Sequence, residues 1–131
     1  MSNVVIVNAK RSAIGKFLGS LSGLSSVDIG SSVLNSLIQS SKIQKSEVDE
    51  VIMGQVLTGG HGQNPARQTM MLSGIPYEKS AVTINQVCGS GLRAIAMGTQ
   101  SILSGQSEIV IAGGQESMSN SHHTANIRNG I

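Results

Sequence analysis

The chain has 131 residues, of which 39% are hydrophobic and 12% are charged, and its formal net charge is +2 at pH 7. This composition is typical of one globular domain or part of one, and it excludes a charge-rich disordered chain. Phe17 and Tyr77 are the only aromatic residues and the nine basic residues are scattered, so the sequence lacks both the stacking platforms and the basic stripe that nucleic-acid binding uses. No nucleic-acid partner is therefore expected.

Cys88 is the only cysteine in the chain and cannot form an internal disulfide, which suits a reducing compartment. The apolar run near the N-terminus is too short for the core of a signal peptide, and no apolar run approaches the length that spans a bilayer. These observations predict a soluble, cytoplasmic protein without a membrane partner.

In chain order, residues 3–11 (NVVIVNAKR) contain a β-branched run that predicts a buried strand. A first helix is expected to begin at Ser25 or Ser26, because serine is a favourable N-cap and apolar residues then recur on one face. Residues 50–57 are a second strand candidate. A glycine loop follows, and a second helix is expected to begin at Pro65, since proline is favoured in the first helical turn.

The pattern continues with a third strand at 80–87, a third helix at 88–106 and a fourth strand at 107–114, followed by a polar tail from about residue 115. Alternating strands and helices predict an α/β fold with right-handed crossovers and a mostly parallel sheet. The third helix is apolar around most of its circumference, and such a helix is usually buried on all sides. One sheet covers only one side of a helix, so the sequence indicates an incomplete fold.

Cys88 stands where the third predicted strand ends and the third helix begins. Unpaired N–H groups and the positive end of the helix dipole favour a thiolate at such a position. The same N–H groups, with that of Cys88 as a candidate, can face a developing oxyanion. Glycine or serine at positions 89–91 leaves room for an acyl group, so Cys88 is a candidate nucleophile for a covalent acyl intermediate. The alternative is a small buried cysteine without a chemical role.

A second interpretation uses the same residues. Gly89, Gly91 and Ala94 satisfy the G-x-G-x-x-A dinucleotide-binding fingerprint, with Glu116 as a candidate acidic residue beyond the next strand. However, this is the third strand–helix turn and not the first, and Glu116 does not stand at the strand tip. Glu116 and the pair Asp49–Glu50 are expected to be solvated surface carboxylates.

The histidines are weaker candidates. His61 lies in a glycine loop and is expected to be a surface or interface residue. His122 and His123 lie in the polar tail without further ligands at metal-binding spacing, so no metal site is predicted.

Residues 85–119 (NQVCGSGLRAIAMGTQSILSGQSEIVIAGGQESMS) resemble the nucleophile segment of the thiolases, in particular the biosynthetic acetyl-CoA acetyltransferases. Residues 3–21 (NVVIVNAKRSAIGKFLGSL), 51–68 (VIMGQVLTGGHGQNPARQ) and 112–119 (AGGQESMS) resemble other N-terminal signatures of that family. The resemblance runs in order over essentially the whole chain. Ketoacyl synthases also carry a cysteine at a strand-to-helix turn, but GGHGQNPARQ and AGGQESMS favour a thiolase.

The resemblance implies an α/β fold in which two halves form a layered α-β-α-β-α body, with residues 1–131 as part of the N-terminal domain. The third helix would then lie in the central layer. The polar tail would lead toward a loop region and a C-terminal domain that are absent from these 131 residues. Homo-oligomers are expected for full-length members, and association of this chain with itself or with a C-terminal partner is possible.

The implied reaction is ping-pong acyl transfer through an acetyl-cysteine at Cys88. Two molecules of acetyl-CoA condense to acetoacetyl-CoA, or the reverse thiolysis occurs, with coenzyme A thioesters as substrates and no separate cofactor. In the family, an activating histidine and a second catalytic cysteine lie in the C-terminal half, and His61, His122 and His123 match neither. The chain alone is therefore expected to be inactive or very weakly active. The alternative is a non-catalytic piece that needs a partner.

Overall fold

The computed structural model describes residues 3–130, which contain three helices, three strands and two short 3-10 turns. The helices are α1 (Ser26–Ser41), α2 (Pro65–Leu72) and α3 (Ser90–Leu103), and the strands are β1 (Glu50–Gly54), β2 (Ser80–Ile84) and β3 (Val110–Gly114). The 3-10 turns are Lys45–Glu47 and Met118–Asn120. All three helices and the last three predicted strands are confirmed, although each strand is shorter than its predicted range.

The three strands form one parallel sheet in the order β2-β1-β3. Their register is even, so that Gly54 at the end of β1 pairs with Ile84 of β2 and with Gly114 of β3. The carboxyl ends of all three strands therefore meet at one edge of the sheet, which is where parallel α/β sheets usually carry their functional loops.

Helices cover both faces of the central strand β1. Val51 and Met53 belong to the main core with residues of α1 and α2. Ile52 is only 1% exposed, and it points to the opposite face because successive side chains of a strand alternate. Helix α3 packs on that second face, where Gly98 lies against Val110 and Ala112 of β3. The sheet is thus enclosed between α1 and α2 on one side and α3 on the other.

Helix α1 begins where the sequence predicts. The Ser25 hydroxyl accepts a hydrogen bond from Asp28 N–H, and the Asp28 carboxylate accepts one from Ser25 N–H, which makes a capping box. Hydrogen bonds from the Ser25 side chain and backbone lower the pKa of Asp28 below its ordinary value of 3.8. The helix ends at Lys42, which adopts a left-handed conformation.

The predicted N-terminal strand at 3–11 is wrong for the part of the chain that the structure describes. Val5, Ile6 and Val7 are 68%, 76% and 81% exposed, and residues 3–15 make no backbone–backbone hydrogen bond within 3–130. A strand needs a neighbouring strand to pair its N–H and C=O groups. The composition of this run indicates burial, but none of the described strands pairs with it.

The outer face of α3 also remains uncovered. Ala94, Gly98 and Ser101 lie against the sheet, whereas Leu92 and Leu103 are 75% and 60% exposed. The sequence predicted that this apolar helix requires a second layer, and residues 3–130 supply a layer on one side only. None of the described helices has the length and apolar character that a membrane crossing requires.

Asp49 joins the amino ends of the strands, contrary to the expectation of a solvated surface carboxylate. Its Oδ2 accepts hydrogen bonds from the backbone N–H groups of Glu108 (2.8 Å) and Ile109 (3.1 Å), and its Oδ1 accepts one from Lys79 Nζ at 3.3 Å. The backbone N–H groups of Glu108 and Ile109, with a smaller contribution from Lys79, lower the pKa of Asp49 below 3.8. The charged carboxylate therefore stabilises the folded chain.

Replacing Asp49 by asparagine should reduce stability at neutral pH and flatten its dependence on acid. Since the folded-state pKa of Asp49 lies below the unfolded value, its contribution is present above about pH 4 and disappears as the pH falls through the folded-state pKa. Denaturant unfolding at a series of pH values should show the parent and Asp49→Asn converging in acid. Glu78→Gln removes an exposed carboxylate that accepts no hydrogen bond within 3–130 and should run parallel to the parent. Parallel curves for Asp49→Asn would contradict this role.

Candidate active site

Gly54 allows the start of α3 to lie directly against the end of β1, and Gly91 of the same helix lies beside Gly114 at the end of β3. A Cβ atom on Gly54 would lie 2.5 Å from Ser90 Cβ and 2.8 Å from Gly91 N. A Cβ on Gly114 would lie 3.4 Å from Gly91 Cα. The distances at Gly54 are shorter than real Cβ contacts, so only glycine at position 54 lets the helix approach β1 this closely, whereas a Cβ on Gly91 or Gly114 would make ordinary contacts. The residues that precede α3, including Cys88, are therefore held at the carboxyl edge of the sheet.

The turn between β2 and α3 contains a strained residue immediately before the cysteine. Val87 has φ = 52°, a left-handed conformation that is a genuine outlier for a β-branched side chain. The Asn85 Oδ1 atom accepts a hydrogen bond from Val87 N–H at 2.9 Å. Ser90 Oγ donates to Val87 C=O at 2.6 Å and accepts from Gln86 N–H at 2.8 Å. Two side chains thus hold the unfavourable conformation in place.

Cys88 is exposed, which contradicts the alternative of a small buried cysteine. Its backbone N–H donates no hydrogen bond within the described chain, so it is free to face an oxygen atom of a ligand. The next two N–H groups, of Gly89 and Ser90, already donate to Gln86 C=O and Val87 C=O. Of these three candidate oxyanion donors, only the N–H of Cys88 itself remains free. An exposed thiol beside a free N–H group can accept an acyl group and stabilise the oxyanion that forms.

The small residues after Cys88 have a different role from the one predicted. Ser90 is 4% exposed and holds the turn, and Gly91 packs against Gly114. Only Gly89 of these three residues is exposed, so it alone leaves open space beside the cysteine. The two glycines of the G-x-G pattern therefore have different surroundings, open space at Gly89 and ordinary contact with the end of β3 at Gly91.

Glu116, expected to be a solvated carboxylate, instead connects the loops that follow β1 and β3. It is half-buried, and its two oxygens accept hydrogen bonds from Val56 N–H (2.8 Å) and Leu57 N–H (3.3 Å). The carbonyl group of the same Val56 accepts a hydrogen bond from Asn85 Nδ2 at 3.3 Å. The loops after all three strands are therefore linked through Val56.

A buried polar network lies beneath the same edge of the sheet. Gln115 Nε2 donates to Gln55 Oε1 at 3.0 Å, and Thr69 Oγ1 donates to Gln115 Oε1 at 2.7 Å. The Gln55 side chain also donates to Leu57 C=O and accepts from Ser26. No buried side-chain nitrogen or oxygen in the described residues lacks a partner. This network fixes the positions at which the loops leave β1 and β3.

The histidines do not join Cys88 in a site that the structure defines. His61 and His122 make an edge-to-face contact with ring centroids 5.5 Å apart, and His122 and His123 are exposed. No group of three potential metal ligands occurs among residues 3–130. No histidine is seen as a hydrogen-bond partner of Cys88 within that part of the chain.

An open cleft of about 320 Å³ lies at the ends of β1 and β2, next to the turn that carries Cys88. It is lined by Gln55, Thr58, Gly62, Asn64, Pro65, Thr83, Ile84 and Asn85. A second open cleft, of about 460 Å³, lies at the amino ends of the strands and includes Asp49 and Glu108. The first cleft shares Asn85 with the cysteine turn, whereas the second lies at the opposite edge of the sheet.

Sequence reasoning located Cys88 but missed Asn85 and the role of Glu116. An asparagine two residues before a turn amide is a recognisable signal, because asparagine side chains often accept a hydrogen bond from the N–H two positions later. The contacts of Glu116 join residues 60 positions apart and have no local signal in the sequence.

The fold and site define a parallel α/β protein with an exposed cysteine at a strained strand-to-helix turn. Residues 4–131 match the family model described as "Thiolase, N-terminal domain". Acetyl-CoA acetyltransferase of Allochromatium vinosum is 57% identical over 121 residues, which cover 92% of this chain and 31% of that protein. Probable acetyl-CoA acetyltransferase of Escherichia coli K12 is 54% identical over 123 residues, covering 94% and 31%.

The solved structure of Acat5 thiolase from Ascaris suum in complex with coenzyme A is also similar. It has a TM-score of 0.81 and 42% sequence identity, and the match covers 89% of this chain and 32% of that one. The chain belongs to the thiolase family. It spans about a third of the length of the curated relatives that it matches.

Proposed function

We propose that this chain carries the acyl-accepting half of an acetyl-CoA C-acetyltransferase, with Cys88 as the nucleophile. The observation that carries the proposal is the exposed cysteine at the strained turn, in a chain of the thiolase family. The relatives' names specify acetyl-CoA as substrate, and the Ascaris suum thiolase binds coenzyme A. Coenzyme A thioesters are therefore the proposed substrates, without a separate cofactor.

In the first half-reaction, the Cys88 thiolate attacks the carbonyl carbon of acetyl-CoA. A new carbon–sulfur bond forms, and negative charge develops on the carbonyl oxygen, where the free Cys88 N–H can donate a hydrogen bond. The carbon–sulfur bond to coenzyme A then breaks and coenzyme A leaves as its thiolate. Cys88 releases its thiol proton to solution when the thiolate forms, and the coenzyme A thiolate takes up a proton from solution, so no net proton is consumed. The product is an acetyl-cysteine, the covalent intermediate of a ping-pong mechanism.

The second half-reaction joins this acetyl group to a second acetyl-CoA and gives acetoacetyl-CoA, or runs in the reverse direction as thiolysis. It requires a base to remove a proton next to the thioester carbonyl, and the described residues contain no second cysteine for that step. We assign this step to the remaining two-thirds of a full-length thiolase. The uncovered outer face of α3 and the exposed run at 5–7 are the surfaces that such a remainder would cover. The proposal places residues 1–131 as part of an N-terminal thiolase domain in a cytoplasmic homo-oligomer.

The first half-reaction is testable on this chain alone. Incubation with acetyl-CoA should release at most about one equivalent of coenzyme A per folded chain, slowly because the activating histidine of the family lies outside these residues, and then stop because no second acceptor step follows. Chromatographic measurement of free coenzyme A against time gives this burst, and circular dichroism on the same sample shows that the chain is folded. Release that continues linearly, or no release from folded chain, would contradict the proposal.

The same samples distinguish the alternatives. Concentration-dependent self-association without release of coenzyme A would support a non-catalytic piece that needs a partner. Saturable binding of NAD would support the dinucleotide-binding interpretation, which the family assignment disfavours.

A further inference from the structure

We propose that Glu116 and Asn85 are positioning residues for Cys88, acting through a hydrogen-bond chain that crosses the ends of all three strands. The proposal deepens the proposed function and rests on Cys88 as its nucleophile. This hydrogen-bond chain runs from Glu116, after β3, to the Val56 peptide, after β1, and from there to Asn85, after β2. It ends at Val87 N–H, in the residue next to Cys88.

The first link fixes the Val56 peptide from both of its sides. Glu116 Oε2 accepts from Val56 N–H at 2.8 Å, and Asn85 Nδ2 donates to Val56 C=O at 3.3 Å. Hydrogen bonds to a charged acceptor are shorter and stronger than those between neutral groups, so we expect the hydrogen bonds to the Glu116 carboxylate to be the strongest of the series. Its second oxygen accepts from Leu57 N–H, which prevents rotation of the loop after β1.

The second link transfers that restraint to the strained residue. The same Asn85 side chain that donates to Val56 C=O accepts from Val87 N–H at 2.9 Å. Val87 is 65% exposed, so packing of its side chain does not hold φ at 52°. Conformations of this kind persist only where surrounding contacts enforce them. Asn85 and Ser90 make those contacts, and Asn85 alone extends them to the neighbouring strands.

The conformation of Val87 determines the orientation of Cys88, because the Val87 C=O and the Cys88 N–H belong to the same peptide group. A change of the Val87 backbone conformation rotates that peptide. The free N–H then moves away from the carbonyl oxygen of acetyl-CoA, and the thiol moves away from its carbonyl carbon. Acyl transfer loses rate steeply when reacting groups leave their productive geometry. Binding of acetyl-CoA away from the reacting carbon is not expected to change.

The central experiment measures the burst of coenzyme A in a set of variants. Asn85→Ala and Glu116→Ala should each slow the burst by about tenfold at saturating acetyl-CoA, and leave the half-saturating concentration within about twofold of the parent. Glu116→Gln keeps one acceptor oxygen and should fall between Glu116→Ala and the parent. Asn85→Ala combined with Glu116→Ala should be no slower than the slower single variant, because both break the same chain.

Val87→Gly provides the decisive background. Glycine adopts a positive φ without strain, so the turn no longer depends on Asn85. In this background Asn85→Ala should change the burst rate by less than about twofold. The matched control is Asn8→Ala, which also removes an asparagine amide; its Nδ2 donates to Ser40 and Ser41 and its Oδ1 accepts from Ala9 N–H, far along the chain from Cys88. It should leave the rate unchanged.

The proposal is overturned if Asn85→Ala behaves like Asn8→Ala, or if its effect is equally large in the Val87→Gly background. Alkylation of Cys88 by iodoacetamide, followed by intact mass, keeps the test independent of acetyl-CoA. If no variant releases coenzyme A, the proposed function fails, while coupling between positions 85 and 87 in the alkylation rates would still support positioning. If Glu116→Ala does not fold, the effect of Asn85→Ala with and without Val87→Gly is sufficient to test the proposal.

Discussion

The Cys88→Ser chain is expected to release no burst of coenzyme A and to carry no acetyl group after incubation with acetyl-CoA. Serine has nearly the same shape, so the turn, the free N–H and the helix start remain. A hydroxyl is a far weaker nucleophile than a thiol unless a neighbouring base activates it. The expected loss of initial rate is at least about a hundredfold.

Cys88→Ala is the companion variant, since it removes the nucleophile without leaving a hydroxyl. The free energy of unfolding of both variants should lie within about 0.5 kcal/mol of the parent value, because the side chain is exposed. An acetyl adduct that persists in either variant would remove Cys88 from the mechanism.

Gly54→Ala is expected to have the largest effect on stability, about 3 kcal/mol of unfolding free energy. The added methyl group would lie 2.5 Å from Ser90 Cβ, 2.6 Å from Ser90 C and 2.8 Å from Gly91 N. Two of these three atoms are main-chain atoms of α3, so a change of one side chain cannot relieve the contact. The start of α3 must move away from β1, and the turn that carries Cys88 must move with it.

Gly23→Ala is the matched control, because a Cβ at that position meets no atom within 4 Å and its φ is not positive. It should lie within about 0.5 kcal/mol of the parent in denaturant unfolding. For Gly54→Ala we expect both an earlier unfolding midpoint and a slower burst of coenzyme A. Parent-like stability and an unchanged burst would show that the helix does not depend on this close contact.

The sequence predicted the regular elements that have local signals. Ser25 and Pro65 mark the starts of α1 and α2 at the predicted places, and the β-branched runs mark β1 and β2. The run at residues 3–11 has the same local signals, yet it is not a strand, because pairing depends on a neighbour that local sequence does not specify. The apolar circumference of α3 correctly indicated a helix surface that residues 3–130 leave uncovered on one side.

The site was only partly predictable for the same reason. The position of Cys88 follows from where a strand pattern gives way to a helix pattern, which is local information. Contacts between distant segments, such as Glu116 with Val56 and Gly54 with Ser90, arise only when the strands are in register. Gly91 illustrates the difference, since its absent side chain first suggested room for substrate, whereas in the folded chain Gly91 lies beside Gly114 of β3.

The most direct test of the account is to locate the acetyl group on the parent chain after incubation with acetyl-CoA. Intact mass on a folded sample gives the number of acetyl groups, and peptide mass analysis gives their position. We expect a single acetyl group on the peptide that contains Cys88, as a thioester that hydroxylamine removes. Acetylation confined to lysines, or no acetylation of folded chain, would contradict the claim that this turn presents a reactive nucleophile.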